Sequence, residues 1–385
     1  MLTKTPVIVK AHLVAAGVSM LASFSLCFAQ EPLPPPAQCH GVIELGSKGI
    51  KALVVADAGK DSKGDLLPPK KIEEFKPKNK NPYDGDTAAQ VAAEVVSIRK
   101  AMLDKFHMPA EQIHLVESSG IPDPVKKTLQ ENLPGGIEPD YMDVSRESRL
   151  VFQGIVPTTR MHLNEVVVLD IGSGNSKGGY LTKNTAPLEF ETFALPLGTG
   201  TFAKKINSTR QNGEDFKTVA FKLAAAEVLP PLRSQIRNKP GMQNCSRLYL
   251  AGGLPYVLTT LLHPEQIGSK DPQDRSGKKT SDWVQLSAKD INSFYEIATK
   301  NPADLLKLKP EVLNKVASEN RKAVEDEFNR AAGIFNQDEL MAGAILLKTF
   351  MDEMHFDRKN AIFFSRLALY AWPQGYIKEK IAAKP

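Results

Sequence analysis

The stretch VVVLDIGSGNSKGGYL, residues 166–181, decides which fold the sequence predicts. Its apolar residues 166–169 predict a short buried strand, with Asp170 at the end of that strand. The small residues that follow predict a turn, and a second strand is expected near Gly179. Glycines let backbone N–H groups converge on an anion, and a carboxylate at a strand end can hold a divalent cation or a water. The stretch predicts a phosphate site, although an ordinary glycine-rich hairpin would look similar.

The pattern occurs twice, which favours the phosphate site. Residues 42–55, VIELGSKGIKALVV, again read as strand, acid, Gly-Ser turn and strand. A third glycine turn, residues 251–253, follows the predicted strand 247–250 and precedes an apolar helix start. Two acid-tipped hairpins and one late Gly-Gly turn, in that order, resemble the actin-like ATPase domain superfamily. This resemblance implies an α/β, two-domain actin-like ATPase (ribonuclease H-like) fold with an interdomain phosphate-binding cleft.

The N-terminus has the features of an export signal. Lys4 and Lys10 precede an apolar run over residues 13–28, and Ala29 completes a small-residue cleavage site. Residues 1–29 therefore predict a signal peptide, and residues 30–40 a proline-rich leader outside the fold. A retained membrane anchor is the alternative, but the run is short for a span. We expect a secreted, periplasmic protein with no stable membrane anchor after cleavage.

Charge and cysteine content exclude some classes of protein. Removal of the signal lowers the formal net charge from +5 to +3, because Lys4 and Lys10 are its only charged residues. This mild charge is compatible with an anionic substrate, and without zinc spacing or a basic helix we expect no specific nucleic-acid partner. Cys39 and Cys245 would remain and permit one disulfide, but the sequence does not say whether they pair.

Apolar spacing predicts alternating strands and helices, and hence α/β layers. We predict domain I over residues 41–157 and domain II over residues 158–385, with a surface insertion at 263–281 and a C-terminal helix that can return to domain I. The predicted strands are 113–117, 190–196, 247–250 and 361–364, besides the two hairpins. The predicted helices are 87–106, 125–133, one opening at Ser145, 202–206, 215–236, 256–262, 290–299, 310–317 and 337–354.

The order of motifs resembles the exopolyphosphatase and guanosine pentaphosphate phosphohydrolase (Ppx/GppA) family over residues 41–372. The family's I-D-x-G-S-N-S motif is similar to residues 43–49, and its E-A-R-L-I-F-x-G segment to residues 147–154. Its D-I-G-G-G-S-T-E motif is similar to residues 170–177, its L-P-L-G to residues 195–198, and its late A-x-x-L-x-A-G-A helix to residues 337–344. The short C-terminal part resembles two-domain members without an added helical hydrolase domain.

The resemblance implies a role for each motif. Glu147 would be the general base for the attacking water, although an acid near a helix N-terminus also occurs for structural reasons. Asp170 would act in catalysis and hold Mg²⁺ or another divalent cation, together with Glu44. The phosphate-binding residues would be Gly46, Ser47, Lys48, Gly172, Ser173, Gly174, Asn175, Ser176 and Lys177.

Three positions depart from the family pattern. Glu44 stands where the family has Asp, Lys177 where it has Glu, and Pro122 where an Arg is common. One interpretation is that Lys177 takes over charge neutralisation in a phosphohydrolase with an altered substrate or metal need. The other is that catalysis is lost and the cleft binds phosphate or polyphosphate as a sensor or scaffold. The sequence favours a phosphoanhydride hydrolase acting on polyphosphate or a related anion; it predicts no oligomeric state.

Overall fold

The computed structural model describes residues 34–60, 69–75, 88–157, 163–183, 188–268, 283–359, 361–366 and 368–383. From Pro34 onward the chain forms one compact unit that contains two mixed β-sheets. The predicted signal peptide, residues 30–33 of the leader and most of the 263–281 insertion lie outside the described residues. The prediction that the whole leader 30–40 lies outside the fold is wrong at its end, because Cys39 and His40 are buried and belong to the first strand of the fold. Within the described ranges, no helix combines the length and apolar character needed to cross a bilayer.

The first sheet has five strands in the order β3-β2-β1-β4-β5. The strands are β1 (Cys39–Gly46), β2 (Gly49–Ala56), β3 (Lys70–Phe75), β4 (Ile113–Glu117) and β5 (Asp140–Tyr141). β1 pairs antiparallel with β2 and parallel with β4. All eight residues of β1 are buried, as expected for a central strand covered on both faces.

The second sheet has six strands in the order β10-β11-β9-β6-β7-β8. They are β6 (Val166–Ile171), β7 (Ser176–Lys183), β8 (Glu189–Leu195), β9 (Arg247–Ala251), β10 (Trp283–Leu286) and β11 (Ala361–Ser365). β6 repeats the arrangement of β1, because it pairs antiparallel with β7 and parallel with β9. The two hairpins therefore occupy equivalent central places in their sheets.

Helices cover both sheets. Around the first sheet lie α1 (Ala88–Phe106) and α2 (Asp123–Asn132), whereas α3 (Val144–Ile155) packs on β6, β7 and β8 of the second sheet. The later helices are α4 (Thr199–Thr209), α5 (Phe216–Leu223), α6 (Leu229–Asn238), α7 (Gly241–Asn244), α8 (Gly253–Leu262), α9 (Pro264–Gly268), α10 (Ala288–Lys300), α11 (Pro310–Leu313), α12 (Ser318–Ala332), α13 (Gln337–Glu353) and α14 (Ala371–Ala382). A π-helical segment, Ala224–Val228, joins α5 to α6, so the predicted helix over residues 215–236 is nearly continuous.

The apolar residues form two clusters. One lies between the first sheet and α1, where Val91, Val95 and Met102 follow the helical spacing of the sequence. The larger cluster fills the second sheet and its helices and includes Val42 and Val116 of the first sheet. One face of the first sheet therefore packs on α1, and its other face joins the larger core.

The helix α3, which carries Glu147, packs closely against the C-terminal helix α14. A Cβ atom at Gly154 would lie 1.8 Å from the carbonyl oxygen of Ala371, and one at Gly375 would lie 2.0 Å from that of Leu150. Only glycine lets the two backbones approach this closely. The C-terminal helix thus supports the element that presents Glu147, while the predicted domain boundary at residue 157 stays a prediction.

The predicted helices and strands differ from the structure mainly at the edge of the second sheet and in one helix rich in charged residues. β4 matches its predicted bounds, and most helices agree within three residues. The prediction missed β10, which is four residues long, and α12, whose sequence is rich in charged residues. The helix predicted from Ser145 begins one residue earlier, because Asp143 is its N-cap and accepts a hydrogen bond from the Arg146 N–H. Cys39 and Cys245 are both buried and unpaired thiols.

Candidate functional site

The turns of the two hairpins meet at one cleft. The Ser47 hydroxyl donates to the carbonyl oxygen of Gly120 at 3.1 Å, and the Asn175 side-chain amide donates to the Ser119 hydroxyl at 3.0 Å. A Cβ at Gly174 would lie 2.4 Å from the Gly120 carbonyl oxygen, so this contact requires glycine. Both turns line one cavity of about 400 Å³. The predicted convergence of the two hairpins is therefore present.

The N-terminus of α4 holds the second turn in place. The N–H of Thr199 donates to the Gly172 carbonyl, and those of Gly200 and Thr201 donate to the Ser173 carbonyl. These donors are helix N-terminal groups that lack partners inside the helix. The turn's carbonyl groups are thus engaged by α4, whereas the N–H groups of Ser173 and Gly174 donate to no other described residue. Gly198, the last residue of the L-P-L-G segment, is the N-cap of α4, and a Cβ there would lie 2.5 Å from the Gly172 carbonyl oxygen.

The side chain of Glu147 is buried and fully engaged. It accepts hydrogen bonds from the Ser118 hydroxyl at 3.1 Å and the Ser119 N–H at 2.8 Å. The ammonium group of Lys177 lies 3.0 Å from Glu147 Oε1, the oxygen that also accepts the Ser118 bond, whereas Ser119 donates to Oε2. Burial by itself raises the pKa of Glu147, but Lys177 and the Ser119 donors outweigh burial and hold the pKa below its usual value. Glu147 is therefore a stabilised carboxylate.

Lys177 is the centre of the buried charges. Its side chain is 3% exposed, and its Nζ lies 3.4 Å from Asp170 Oδ2 and donates to Asn175 Oδ1 at 3.0 Å, besides its pairing with Glu147. Burial lowers the pKa of Lys177, but the two carboxylates more than compensate and raise it above its usual value. Burial raises the pKa of Asp170, and the nearby Glu147 charge adds to this effect. Lys177 thus neutralises both acids predicted to be catalytic.

Glu44 has its own lysine. Lys51 Nζ lies 2.8 Å from Glu44 Oε1, and the lysine side chain is 34% exposed whereas that of Glu44 is 3% exposed. The second oxygen, Oε2, is buried and has no hydrogen-bond partner among the described residues. Burial raises the pKa of Glu44 despite the attraction of Lys51. Glu44, which stands where the family pattern has Asp, therefore lies in the cavity wall as a carboxylate paired with Lys51.

The two lysines occupy equivalent positions. Lys51 lies opposite Glu44 in the β1–β2 ladder, and Lys177 lies opposite Asp170 in the β6–β7 ladder. Both hairpins therefore carry the pattern acid-x-Gly-Ser-x-x-x-Lys, residues 44–51 and 170–177. Directly opposite side chains of opposite charge stabilise an antiparallel pair. Sequence reasoning missed Lys51, although comparing the two hairpins residue by residue would have found it.

The predicted metal ligands do not fit Mg²⁺. This ion demands near-octahedral oxygen ligation at about 2.0–2.1 Å. Here an ammonium group contacts both Glu147 and Asp170, and a second one contacts Glu44. Among the described residues, no group of three or more His, Cys, Asp or Glu side chains is arranged to hold a metal ion. The side chains at these positions therefore form ion pairs with lysines and do not form a magnesium site.

The cations at the cleft are paired with acids. Lys48 bonds Glu339 at the start of α13, and its ammonium lies 5.4 Å from the centre of the Phe335 ring. Arg330 of α12 lies 2.7 Å from Glu74 of β3. With Lys51 and Lys177, these are the Lys and Arg side chains among the described residues that line the cavity. An anion entering the cleft must compete with carboxylates or use backbone N–H groups.

Eight of the nine residues predicted to bind phosphate line the cavity. Gly46, Ser47, Lys48, Gly172, Ser173, Gly174, Asn175 and Lys177 line the cavity. Ser176 does not: it lies in β7, and its hydroxyl donates to the Leu197 carbonyl. Pro122 is the N-cap of α2 and is not among the lining residues. The late glycine turn does reach the site, because Gly252 has φ +89° and a Cβ there would lie 2.1 Å from Asp170 Oδ1.

Comparison with known proteins identifies the fold. No protein-family model and no curated protein sequence matches the chain. Among solved structures, it is similar to an exopolyphosphatase from Cytophaga hutchinsonii, with TM-score 0.53 and 15% identity over 89% of this chain and 98% of that one. It is also similar to the Aquifex aeolicus member of the Ppx/GppA family, with TM-score 0.51 and 14% identity over 90% of this chain and 98% of that one. The predicted α/β fold is confirmed, and the chain has the fold of the Ppx/GppA exopolyphosphatase structures.

Proposed function

We propose that the cleft binds a phosphorylated anion of the polyphosphate class and does not hydrolyse it by a magnesium-dependent route. The pairing of Lys177 with both Glu147 and Asp170 carries this proposal. A general base works best when its pKa lies near the operating pH. Glu147 accepts bonds from Ser118, Ser119 and Lys177 and has a lowered pKa, so it is a poor proton acceptor. This is the sensor or scaffold interpretation of the sequence.

The anion would bind mainly to backbone donors. The N–H groups of Ser173 and Gly174 belong to a turn whose carbonyls are engaged by α4, and both residues line the cavity. Successive N–H groups in such a turn form a concave anion site. Lys48 and Lys51 lie across the same cavity and can exchange a carboxylate for a phosphate oxygen. The similarity to an exopolyphosphatase and to an exopolyphosphatase-like protein supports phosphorylated anions as the ligand class.

The second candidate is the predicted phosphoanhydride hydrolase. It is favoured by the likeness to exopolyphosphatase structures and by the position of Glu147 and Asp170 in the wall of one cavity. In that case Glu147 would orient the attacking water by a hydrogen bond, and Lys177 would stabilise negative charge in the transition state. The two candidates predict the same ligand and differ in whether phosphate is released.

One pair of measurements separates them. Polyphosphate binding to the mature chain is measured by calorimetry, and phosphate release is followed with Mg²⁺ and with a chelator, for wild type and Glu147→Gln. We expect saturable binding in both buffers and no release above the background shared by the two proteins. Release that depends on Glu147 would favour the hydrolase. Absence of saturable binding would overturn both candidates.

A matched pair of glycine variants tests the location of the anion. Gly174→Ala would place a Cβ against the Gly120 carbonyl and the Ser47 hydroxyl, which forces the turns apart. Gly135→Ala adds the same methyl group where nothing lies within 4 Å. We expect roughly tenfold weaker polyphosphate binding for Gly174→Ala, the scale of one lost charge-assisted bond, and unchanged binding for Gly135→Ala. Equal affinities would place the anion elsewhere.

We also propose that the chain is exported to the periplasm. The support is the basic and apolar N-terminal sequence with its small-residue cleavage site. Mass spectrometry of the protein recovered from its source should give a mature N-terminus at Gln30. A chain that retains Met1 would contradict export by cleavage.

A further inference from the structure

Five charged side chains at the cleft form one group of ion pairs. Three carboxylates, from Glu44, Glu147 and Asp170, face two ammonium groups, from Lys51 and Lys177. Their formal charges add to minus one. Burying unpaired charges is costly, so such a group is stable only when the signs are nearly balanced and the geometry is good. In this chain the lysines provide that balance.

Lys177 lies at the point where a cation can contact two acids at once. Its Nζ is 3.0 Å from Glu147 Oε1 and 3.4 Å from Asp170 Oδ2, and Asn175 Oδ1 supplies a third oxygen at 3.0 Å. These three oxygens match the three hydrogens of an ammonium group. A divalent cation at the same point would need the ammonium to leave a site in which it is 3% exposed.

The fold also fixes the position of the ammonium. The β6–β7 ladder fixes Lys177 opposite Asp170, and the Ser118–Ser119 loop fixes Glu147 on its other side. The counterion therefore belongs to the fold and does not depend on the concentration of any ion in the surroundings.

We propose that Lys177, with Lys51 as its counterpart in the first hairpin, is an internal counterion that takes the place of a divalent cation, so that the cleft is complete without metal. The proposal concerns the unliganded protein and does not depend on the anion proposed above. It implies that one substitution, Lys177→Glu, converts the charge set into a divalent-cation site. That change would bring four carboxylates together with one ammonium and shift the local charge from minus one to minus three.

The test compares metal binding by wild type, Lys177→Glu and a control, with Mn²⁺ as the spectroscopic probe and Mg²⁺ as competitor. Lys183→Glu is the control, since Lys183 lies on the same strand and its side chain is 46% exposed. We expect Lys177→Glu to bind about one Mn²⁺ at least roughly tenfold more tightly than the other two proteins, because two charge units change at short range. Its Tm should rise with Mg²⁺, whereas that of wild type should not.

Two outcomes would overturn the proposal. The first is stoichiometric Mn²⁺ binding by wild type that Mg²⁺ displaces, because the lysine would then not exclude the metal. The second is a Lys177→Glu protein with no more affinity for Mn²⁺ than Lys183→Glu. If Lys177→Glu does not fold, the wild-type titration still decides the first point. Lys177→Gln, which removes the cation without adding an acid, should then bind Mn²⁺ more tightly than wild type, and equal affinity would overturn the proposal.

Discussion

The two hairpins carry the same acid-x-Gly-Ser-x-x-x-Lys pattern in different surroundings. In the β1–β2 hairpin, Lys51 pairs with one acid and is 34% exposed. In the β6–β7 hairpin, Lys177 pairs with two acids and is 3% exposed. The difference in partners arises because Glu147 of α3 pairs with Lys177 and not with Lys51. One local pattern thus gives an ion pair with a partly exposed lysine at one site and a buried charge cluster at the other.

The comparison shows that the tertiary surroundings of a lysine determine how much its ion pairs contribute to stability. An exposed ion pair contributes little to stability because water screens it and the side chains lose entropy. A buried lysine has lost its hydration and depends on its carboxylates, just as they depend on it. Removal of the lysine charge should therefore lower the free energy of unfolding by different amounts in the two hairpins.

The largest effect is expected when each lysine is replaced by methionine, which keeps most of the side-chain volume. Lys177→Met leaves Glu147 and Asp170 buried without their counterion, and we expect a loss of about 3–5 kcal/mol in the free energy of unfolding. Lys51→Met leaves only Glu44, and we expect about 1–2 kcal/mol. Urea denaturation at pH 7 measures both values. Equal losses would mean that the two pairs are energetically equivalent despite their burial.

The fold was largely predictable because its elements repeat simple periodic patterns. The apolar runs of β1 and β6 and the spacing of Val91, Val95 and Met102 in α1 report burial directly. Placement of Glu147 and Asp170 in one cavity wall followed from the motif order. The pairing of Lys177 with both acids could not be predicted, since it depends on the position of α3 relative to β7. The charged helix α12 was missed because its few buried positions, Val324, Phe328 and Ala331, give a weak pattern.

A fourth buried acid, Glu117 at the end of β4, forms no ion pair among the described residues and sharpens the comparison. It is fully buried, and neither carboxylate oxygen has a hydrogen-bond partner among the described residues. Burial raises the pKa of Glu117 to about 7, although Lys126 opposes the shift. The contrast with Glu147, whose partners hold its pKa low, isolates the effect of pairing.

Glu117 should therefore make stability pH-dependent. Its pKa is higher in the folded than in the unfolded chain, so its contribution is fully present below about pH 4.5 and is lost as pH rises through about 7. We expect Glu117→Gln to be more stable than wild type by about 2–3 kcal/mol at pH 8.5 and close to wild type at pH 4.5. Denaturation series at several pH values measure this difference. A difference independent of pH would show that Glu117 does not titrate in this range.

The smallest effect concerns the proposed anion site at the first turn, where Lys48 is held by Glu339 of α13. Glu339 Oε2 also accepts the Asn336 N–H in the helix capping box. Glu339→Gln can keep that capping bond while it removes the charge opposite Lys48. Because Lys48 is 34% exposed, the pair itself contributes little to stability, and its release should appear mainly in binding.

We expect Glu339→Gln to bind polyphosphate about three- to tenfold more tightly than wild type, since the freed ammonium can pair with a phosphate oxygen. Asp338→Asn is the matched control: it removes one charge from the same first turn of α13, where Asp338 accepts a bond from Asn207. The gain should shrink at high salt, as expected for a partly exposed charge. Calorimetric titration at two ionic strengths measures it. An equal gain in affinity for Asp338→Asn would show that the effect comes from the lower negative charge at the start of α13 and not from the release of Lys48. No gain in either variant would show that Lys48 does not contact the anion.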